Sequence, residues 1–382
     1  MTMAAPDPFE AAENARPFLH GQEATAMTEA LQAGQYGHNL LVEQFEQSVA
    51  AYLGVSDMVA VSSGTAALHV ALLAAGVGPG DEVIVPSQTY CATIHAIVAS
   101  GAHPRFIEIN PKTLCIEAHE VLAALTPTTR AVLPVLYGGR AVDLSSIRNE
   151  LTERRIVVIE DAAHAFGSRC AGILVGAQPG VLTCFSFGPI KNLTCGQGGG
   201  VVPRTAAEAD ALRSLRALGI TQSQHQRAAT TSYTVEGFGL RATMSALNAA
   251  VGVVQLQQFE AVAAKRKDLW RAYASRLRTC AGASLVDVDV DRTVPFNCVV
   301  HVDDRDRVFT ELRELGIGVG VHYPPNHIQP AFERWYRPLP ITEQSGQQLM
   351  SLPFHPAMTE EDARYVCLAL ARALRKGSPC AS

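Results

Sequence analysis

One lysine stands apart from every other charged residue in the sequence. The chain of 382 residues holds five lysines among its 31 basic residues, and Lys191 is the only charged residue between Arg169 and Arg204. Apolar, glycine-rich surroundings disfavour the charged ammonium and lower its pKa, which frees the amine as a Schiff-base nucleophile. The alternative is a lysine whose stem packs while its ammonium reaches water. The neighbouring residues favour the reactive amine.

Lys191 follows the predicted end of a strand and a turn. The segment 184–192 reads CFSFGPIKN, and the glycine-rich segment 196–200 comes directly after it. Glycines permit close approach of the backbone to a ligand. We therefore expect the amine of Lys191 and the hydroxyl of Ser186 to face one ligand.

The second candidate is a carboxylate at the end of a buried strand. The β-branched run Ile156–Ile159 leads into Glu160 and Asp161, and open α/β sheets bind ligands at the carboxyl ends of their strands. Asp161 is therefore placed to meet a cofactor. The alternative is that Asp161 caps a helix beginning at Ala162.

A third element joins a strand to a helix. The residues Ser62, Ser63, Gly64 and Thr65 precede an apolar helical stretch, where free backbone N–H groups and the helix dipole suit a phosphate. Ser and Thr are also ordinary N-cap residues, and neither a GxGxxG nor a GxxxxGK[ST] motif is present. A phosphate cup, a buried carboxylate and an isolated lysine together indicate pyridoxal phosphate, which needs a phosphate holder, an anion at its ring nitrogen and an amine.

Strands that alternate with helices must position these residues. The sequence predicts seven β-branched strands, at Met58–Val61, Glu82–Val85, Arg105–Ile109, Arg130–Val135, Ile156–Ile159, Leu182–Phe187 and Gly200–Val202. It predicts helices between them, at Ala66–Ala75, Cys91–Ser100 and Ala118–Leu125. This alternation is typical of an α/β fold with a mostly parallel sheet covered by helices on both faces.

A smaller unit is predicted after the sheet. A single long helix is expected from Ser245 to about Leu277, and the chain is expected to end in a helix near Glu361–Arg375. We therefore divide the chain into a large α/β domain over residues 1–250 and a small C-terminal α+β domain over residues 251–382. The polar connection Gly219–Glu236 is long enough to predict a functional loop.

Composition excludes several classes of protein. Hydrophobic residues make up 48% and charged residues 18%, which argues against disorder. The net charge of −5 offers no footprint for nucleic acid or an anionic membrane. The N-terminus lacks a signal-peptide pattern, and the uncharged stretch Met58–Gly80 is interrupted by Ser, Thr, Gly and Pro. Nine scattered cysteines without a CxxC pair favour a reduced, cytoplasmic protein with no bound metal.

These features resemble the DegT/StrS-type sugar aminotransferases, a pyridoxal-phosphate family with the aspartate aminotransferase-like (type I) fold. The resemblance covers roughly Pro17–Leu374. Seven ordered blocks carry it: FEQSVAAYLGV (45–55), SSGTAALHVALLAAGVGPGDEVIVPSQTY (62–90), GAHPRFIEIN (101–110), IEDAAHAFGS (159–168), FSFGPIKNLTCGQGGG (185–200), HYPPNH (322–327) and SLPFHP (351–356).

The resemblance implies roles for individual residues. Lys191 would form the internal aldimine, Asp161 would pair with the pyridine nitrogen, and His164 would lie beside the phenolic oxygen, where many relatives have Gln. The phosphate would be held by Gly64 and Thr65 with the Ser186 hydroxyl, and Ser63 belongs to the same cofactor-binding turn. The ring of Tyr90 would stack on the pyridine.

The resemblance also implies a homodimer with shared active sites, in which the segment 237–241 reaches the partner's site. Two departures from the family stand out: Gly239 replaces an Asn that contacts phosphate from the neighbouring chain, and Gln197 replaces a Glu. Arg241 and His327 resemble positions that meet substrate. The alternatives are that Arg241 pairs with a buried acid and that His327 packs in the small domain.

The implied reaction is ping-pong transamination. L-glutamate or glutamine would donate an amino group to a nucleotide-activated keto-deoxysugar, in antibiotic or surface-polysaccharide biosynthesis. A cyclitol ketone or another acceptor is an alternative. The deoxysugar dehydratases of the same fold carry His where this chain has Lys191, and a non-enzymatic regulator would not need Asp161, Ser186 and Lys191 together.

Overall fold

The computed structural model describes residues 10–222, 226 and 229–376. Its strands are β1 (Val59–Val61), β2 (Glu82–Pro86), β3 (His103–Ile107), β4 (Thr129–Val132), β5 (Val157–Asp161), β6 (Arg169–Cys170), β7 (Ile173–Leu174), β8 (Val181–Ser186), β9 (Gly199–Val202), β10 (Ala283–Leu285), β11 (Cys298–Val302) and β12 (Leu349–Leu352). Its α-helices are α1 (Glu23–Gln32), α2 (Leu40–Leu53), α3 (Gly64–Ala74), α4 (Cys91–Ala99), α5 (Ala118–Ala124), α6 (Arg148–Glu153), α7 (Ala206–Leu215), α8 (Ala246–Gln257), α9 (Phe259–Leu277), α10 (Arg305–Glu314), α11 (Pro340–Gln348) and α12 (Glu360–Lys376).

The predicted sheet is confirmed. Seven strands pair in the order β1-β9-β8-β5-β4-β2-β3. The pairs β2–β3, β2–β4, β4–β5 and β5–β8 are parallel, whereas β9 runs antiparallel to β1 and β8. The parallel strands therefore end at one edge of the sheet, and the third strand lies two residues earlier than predicted, at His103–Ile107.

Helices cover both faces of the sheet, as predicted. Alternate residues of a strand point to opposite faces. On β2, Val83 and Val85 pack in the cluster that contains residues of α3 and α4. Ile84 between them packs in a second cluster, with residues of α5 and α6. The sheet is thus buried from both sides.

The C-terminal unit has its own core. The strands β10, β11 and β12 form an antiparallel three-stranded sheet. Against it pack α9, α10 and α12, with Trp270, Tyr273 and Phe354 in the shared apolar cluster. This arrangement confirms the predicted α+β character. The predicted division between residues 250 and 251 falls inside α8 and stays a prediction.

The single long helix predicted over Ser245–Leu277 is wrong. The helix breaks at Gln258, whose φ of −104° and ψ of 3° are not helical. The physical reason lies in packing, because α8 contacts α1 and α2 whereas α9 contacts α12. Phe259 and Ala263 at the start of α9 still share a cluster with α8, whereas the rest of α9 packs in the C-terminal core, so the chain passes from one core to the other after the break.

Part of the predicted functional loop Gly219–Glu236 can be described. Ile220 and Val235 form an isolated antiparallel bridge, while residues 223–225, 227 and 228 lie outside the described residues. Among the helices described here, none has the length and apolar character needed to cross a membrane. The eight cysteines within the described ranges are free thiols, and Cys380 lies outside those ranges.

Candidate active site

Three strand ends converge at one edge of the sheet. Asp161 ends β5 and lies opposite Cys184 of the parallel strand β8. Ser186 ends β8, and Ser63 follows β1, which runs in the same direction because β9 is antiparallel to both of its neighbours. The sheet therefore places the carboxylate, the hydroxyl and the start of α3 at one edge, as the sequence predicts.

Lys191 lies in the turn after β8. Its backbone N–H donates to the carbonyl of Gly188 at 3.2 Å, and its Nζ lies 4.6 Å from the ring centre of Phe296. Burial lowers the pKa of the ammonium to about 8, although the charge of Asp161 opposes this. A substantial fraction of the amine is therefore neutral near physiological pH, as a nucleophile requires.

Asp161 is a buried carboxylate held by two donors. The Thr93 hydroxyl donates to Oδ2 at 2.7 Å, and the backbone N–H of Ala163 donates to Oδ1 at 3.1 Å. Burial raises the pKa of Asp161, whereas both hydrogen bonds and Lys191 lower it. Residues 162–168 form turns instead of a helix, so the alternative of a helix cap at Ala162 is wrong.

His164 is a neutral, oriented imidazole. The N–H of Gly138 donates to its Nδ1 at 3.4 Å, which places the ring proton on Nε2, 3.2 Å from the Tyr323 phenol oxygen. Its ring stacks on Phe296 with centres 3.8 Å apart and an interplanar angle of 11°. Burial lowers the pKa of His164 well below the usual range, and the charges of Lys191 and His322 lower it further. His164 can therefore donate one hydrogen bond without carrying charge.

The start of α3 forms a tight cradle against the end of β8. The Ser63 hydroxyl accepts from the Ala66 N–H at 3.1 Å, so Ser63 is an N-cap. A Cβ on Gly64 would lie 2.7 Å from the Cβ of Ser186 and 3.0 Å from its Oγ. Only glycine leaves room there, and Thr65 beside it is exposed. A helix N-terminus next to a hydroxyl is suited to an anionic group.

These residues fit pyridoxal phosphate. The cradle of Gly64 and Ser186 matches a phosphate, the carboxylate of Asp161 matches a protonated pyridine nitrogen, and the depressed pKa of Lys191 matches amine chemistry. The donor of His164 matches a phenolic oxygen. Together these groups provide a partner for the phosphate, the protonated ring nitrogen, the aldehyde and the phenolic oxygen of that cofactor.

The remaining predicted site residues lie in different settings. The Tyr90 side chain is 57% exposed at the start of α4, with its ring centre 5.5 Å from that of Tyr323. Arg241 is exposed and forms no ion pair with any described residue. The alternative pairing of Arg241 with a buried acid is therefore not found within the described ranges.

His327 is placed in the protein interior. It is fully buried, with Nδ1 2.7 Å from the Ser87 Oγ and Nε2 3.2 Å from the Glu343 Oε1. Both ring nitrogens thus have protein partners. His327 is therefore a packed residue, as in the alternative, although it packs against Ser87 of the large domain and not within the small domain alone. We do not include His327 among the proposed substrate contacts.

Sequence reasoning missed three residues of the site. Thr93 lies about one turn after Tyr90 on α4, and Phe296 precedes β11 in an irregular segment. Tyr323 lies in the block HYPPNH, which was the only available signal for it. None of the three stands out by residue type alone, because each acts through a contact made in three dimensions.

The strand-end lysine and carboxylate, the glycine cradle and the two-unit fold together define a pyridoxal-phosphate-dependent enzyme of the type I fold. Comparison with known proteins gives the family. The DegT/DnrJ/EryC1/StrS aminotransferase family matches residues 18–371. The chain belongs to this family and is a pyridoxal-phosphate-dependent aminotransferase.

Solved structures agree with this assignment over the whole fold. DesV from S. venezuelae is 33% identical, with 95% of this chain and 100% of that chain covered and a TM-score of 0.88. The aminotransferase TlmJ from Streptoalloteichus hindustanus is 29% identical, with 95% of this chain and 99% of that chain covered and a TM-score of 0.88. The sugar aminotransferase CalS13 from Micromonospora echinospora is 26% identical, with 94% of this chain and 99% of that chain covered and a TM-score of 0.88.

Proposed function

We propose that the protein moves an amino group from L-glutamate to a keto group of a nucleotide-activated keto-deoxysugar, in two half-reactions that share one site. The observation that carries this proposal is the placement of two groups on neighbouring strands: a buried lysine of depressed pKa in the turn after β8, and the buried carboxylate of Asp161 at the end of β5. The sugar acceptor is supported by similarity to CalS13, which is described as a sugar aminotransferase.

Lys191 is the proton carrier in this proposal. Pyridoxal phosphate, when bound, supplies an electrophilic aldehyde and an electron-withdrawing ring. The neutral Nζ of Lys191 would accept the proton from the α-carbon of the amino donor and would deliver it to the cofactor carbon that takes up the amino group. The half-reaction with the keto acceptor would use the same transfer in reverse. The pKa of about 8 suits both directions, because a general base works best when its pKa is near the operating pH.

Asp161 and His164 hold the electronic state of the ring. The carboxylate of Asp161 would keep a proton on the ring nitrogen of the bound cofactor, and the Nε2–H of His164 would donate to its phenolic oxygen. A neutral imidazole suits the second role, because it donates without adding positive charge beside Lys191. Ser63, Gly64, Thr65 and Ser186 fix the phosphate and therefore the position of the ring.

We propose that the active enzyme is a cytoplasmic homodimer in which the segment 237–241 reaches the partner's site. Its support is the exposure of apolar side chains along this part of the surface: Tyr233 is 61%, Val235 56% and Phe238 100% exposed. Contiguous exposed apolar residues are typical of an interface. Arg241 would then meet the substrate from the neighbouring subunit, and Tyr90 would stack on the ring.

The first test is the visible spectrum of the purified enzyme with pyridoxal phosphate, before and after L-glutamate. Lys191→Ala is the test variant, and Lys112→Ala, at an exposed turn, is its control. We expect a visible band in the wild type and in the control that bleaches on glutamate, and none in Lys191→Ala. A band that survives in Lys191→Ala would contradict the role of Lys191, whereas a wild-type band that ignores glutamate would contradict the donor.

The acceptor is tested separately with the enzyme after it has been converted by glutamate. We expect nucleoside diphosphate keto-deoxyhexoses to restore the visible band and a cyclitol ketone to leave it unchanged. The reverse pattern would leave transamination intact and overturn the sugar acceptor.

The shared site is tested by mixing two inactive variants. Lys191→Ala and Arg241→Ala each disable a different part of the proposed site. If the two residues of one site come from different subunits, unfolding and refolding the variants together restores activity through hybrid dimers. No recovery from two folded variants would contradict the cross-subunit role of Arg241.

A further inference from the structure

A cavity lies on the face of the sheet that is covered by α6, opposite to the face on which Asp161 contacts Thr93. Its volume is about 310 Å³, and its lining includes Val158 and Glu160 of β5. Asp161 follows Glu160 in the same strand and points to the other face, because side chains alternate along a strand. The cavity is bounded on its outer side by α6, through Arg148 and Leu151.

Most of the cavity wall is apolar. Valine, leucine, isoleucine and proline side chains contribute the larger part of it, and six polar or charged side chains contribute most of the rest: Asp143, Ser145, Arg148, Thr152, Glu160 and Gln178. Its volume falls within the range of small-molecule sites, which combine apolar walls with a small number of placed polar groups. The walls therefore suit a compact organic molecule better than a bare ion.

Glu160 supplies a buried carboxylate at this cavity. The residue is only 4% exposed, and the Thr183 hydroxyl donates to its Oε2 at 2.9 Å. Its Oε1 has no hydrogen-bond partner among the described residues, and the carboxylate forms no ion pair within those ranges. Burial raises the pKa of Glu160 to about 7, and only the Thr183 bond opposes this.

The other charged and titratable groups of the wall do not neutralise Glu160. Asp143 is a second acid, bound to the N–H of Ser145 at 2.8 Å. Burial raises the pKa of the Cys170 thiol, and both Asp143 and Glu160 raise it further. Arg148 lines the cavity but makes no ion pair with any described residue. The ionised form of Glu160 has no cation beside it among the described residues, and a cationic ligand would stabilise that form.

We propose that this cavity binds a small alkylammonium ion, with the ammonium N–H on Glu160 Oε1 and the alkyl groups against the apolar wall. The site is separate from the substrate site and does not depend on the proposed acceptor or donor. A ligand on Glu160 would contact the residue directly before Asp161 in β5, so the cavity is linked to the cofactor site through the backbone of that strand.

The test uses N,N-dimethylbutylammonium and the holoenzyme. A tertiary amine is chosen because it cannot form an imine with the cofactor, and N,N-dimethylbutanamide is the uncharged probe of similar size. Binding is measured by isothermal titration calorimetry with wild type, Glu160→Gln and Glu153→Gln. Glu153 is an exposed glutamate of α6 that does not line the cavity, so its variant is the matched control.

We expect the ammonium to bind wild type and Glu153→Gln alike, and to bind Glu160→Gln about 10- to 100-fold more weakly, as for loss of a hydrogen bond to a charged group. The uncharged amide should bind wild type about 10- to 100-fold more weakly than the ammonium does. Absence of binding to wild type, or equal binding to wild type and Glu160→Gln, would overturn the proposal.

A second measurement needs no variant. Cys170 lines the cavity and is partly exposed, whereas the partly exposed Cys280 belongs to the C-terminal unit. The ammonium should slow alkylation of Cys170 and leave that of Cys280 unchanged, as measured by peptide mass spectrometry. Equal rates for Cys170 with and without the ammonium would contradict occupation of the cavity.

Discussion

The hydroxyl of Thr93 is expected to decide the charge state of Asp161. It donates to the Asp161 Oδ2 at 2.7 Å while lying 2.9 Å from the Thr89 hydroxyl, and Thr93 is only 1% exposed. Thr93→Val keeps the shape of the side chain and removes the donor. The carboxylate then retains only the Ala163 N–H, on its other oxygen.

The magnitude follows from the kind of bond that is lost. A hydrogen bond to a charged group contributes about 1.5–3 kcal/mol, and both Thr93 and Asp161 are buried. At a pH above the pKa of Asp161, where the carboxylate is ionised, Thr93→Val should therefore lower the free energy of unfolding of the apoenzyme by that amount. The pKa of Asp161 should rise further, because the lost bond favours the ionised form.

The stability lost in Thr93→Val is expected to depend on pH. Ionised Asp161 needs the donor and the protonated acid does not, so the stability difference between wild type and Thr93→Val is present at high pH and is lost as the pH falls through the pKa of Asp161. Denaturant unfolding over a range of pH measures it. Asp161→Asn removes the charge. Adding Thr93→Val to that variant should therefore lower the free energy of unfolding by less than it does in the wild type.

The control variant is Thr93→Ser, which retains a hydroxyl at this position. It should keep most of the coupling to Asp161, and its holoenzyme should react with glutamate faster than that of Thr93→Val. The reasoning is refuted if Thr93→Val unfolds with the wild-type free energy at every pH, or if Thr93→Ser and Thr93→Val are equally destabilised.

Three further outcomes follow from the geometry of the site. Because burial lowers the pKa of Lys191 to about 8, stopped-flow absorbance should show attachment of pyridoxal phosphate to the apoenzyme accelerating through that pH, and a constant rate between about pH 7 and 9 would contradict it. Gly64→Ala puts a Cβ 2.7 Å from the Cβ of Ser186, so denaturant unfolding should show a loss of about 1–3 kcal/mol, and wild-type stability with wild-type cofactor affinity would argue against the cradle. Gly239→Asn restores the usual family residue but puts a Cβ 2.5 Å from the Leu215 carbonyl oxygen. Denaturant unfolding should therefore show lower stability, and cofactor titration should show no tighter binding. Unchanged stability with tighter cofactor binding would show that the Asn fits.

The sequence by itself determined the sheet and the chemical centre. Strands are local patterns of β-branched residues between turns, so all seven could be predicted from short windows, although the ends moved by a few residues. Lys191 was detectable because charge is absent around it, and Asp161 because it ends a buried strand. The glycine at position 64 was likewise readable as the start of a helix suited to phosphate. These signals are local, and local propensity and burial patterns decide them.

Only the tertiary structure decided how those residues are held. The contact between His164 and Tyr323 joins residues 159 positions apart, and no local pattern records such a pair. The break at Gln258 and the burial of His327 depend on which core each segment packs against. The cavity at Glu160 is lined by residues of three separate elements, α6, β5 and β8. Periodicity predicts which elements form, whereas contacts between distant segments arise from packing the whole chain at once, and this packing sets the pKa values, the orientations and the free space.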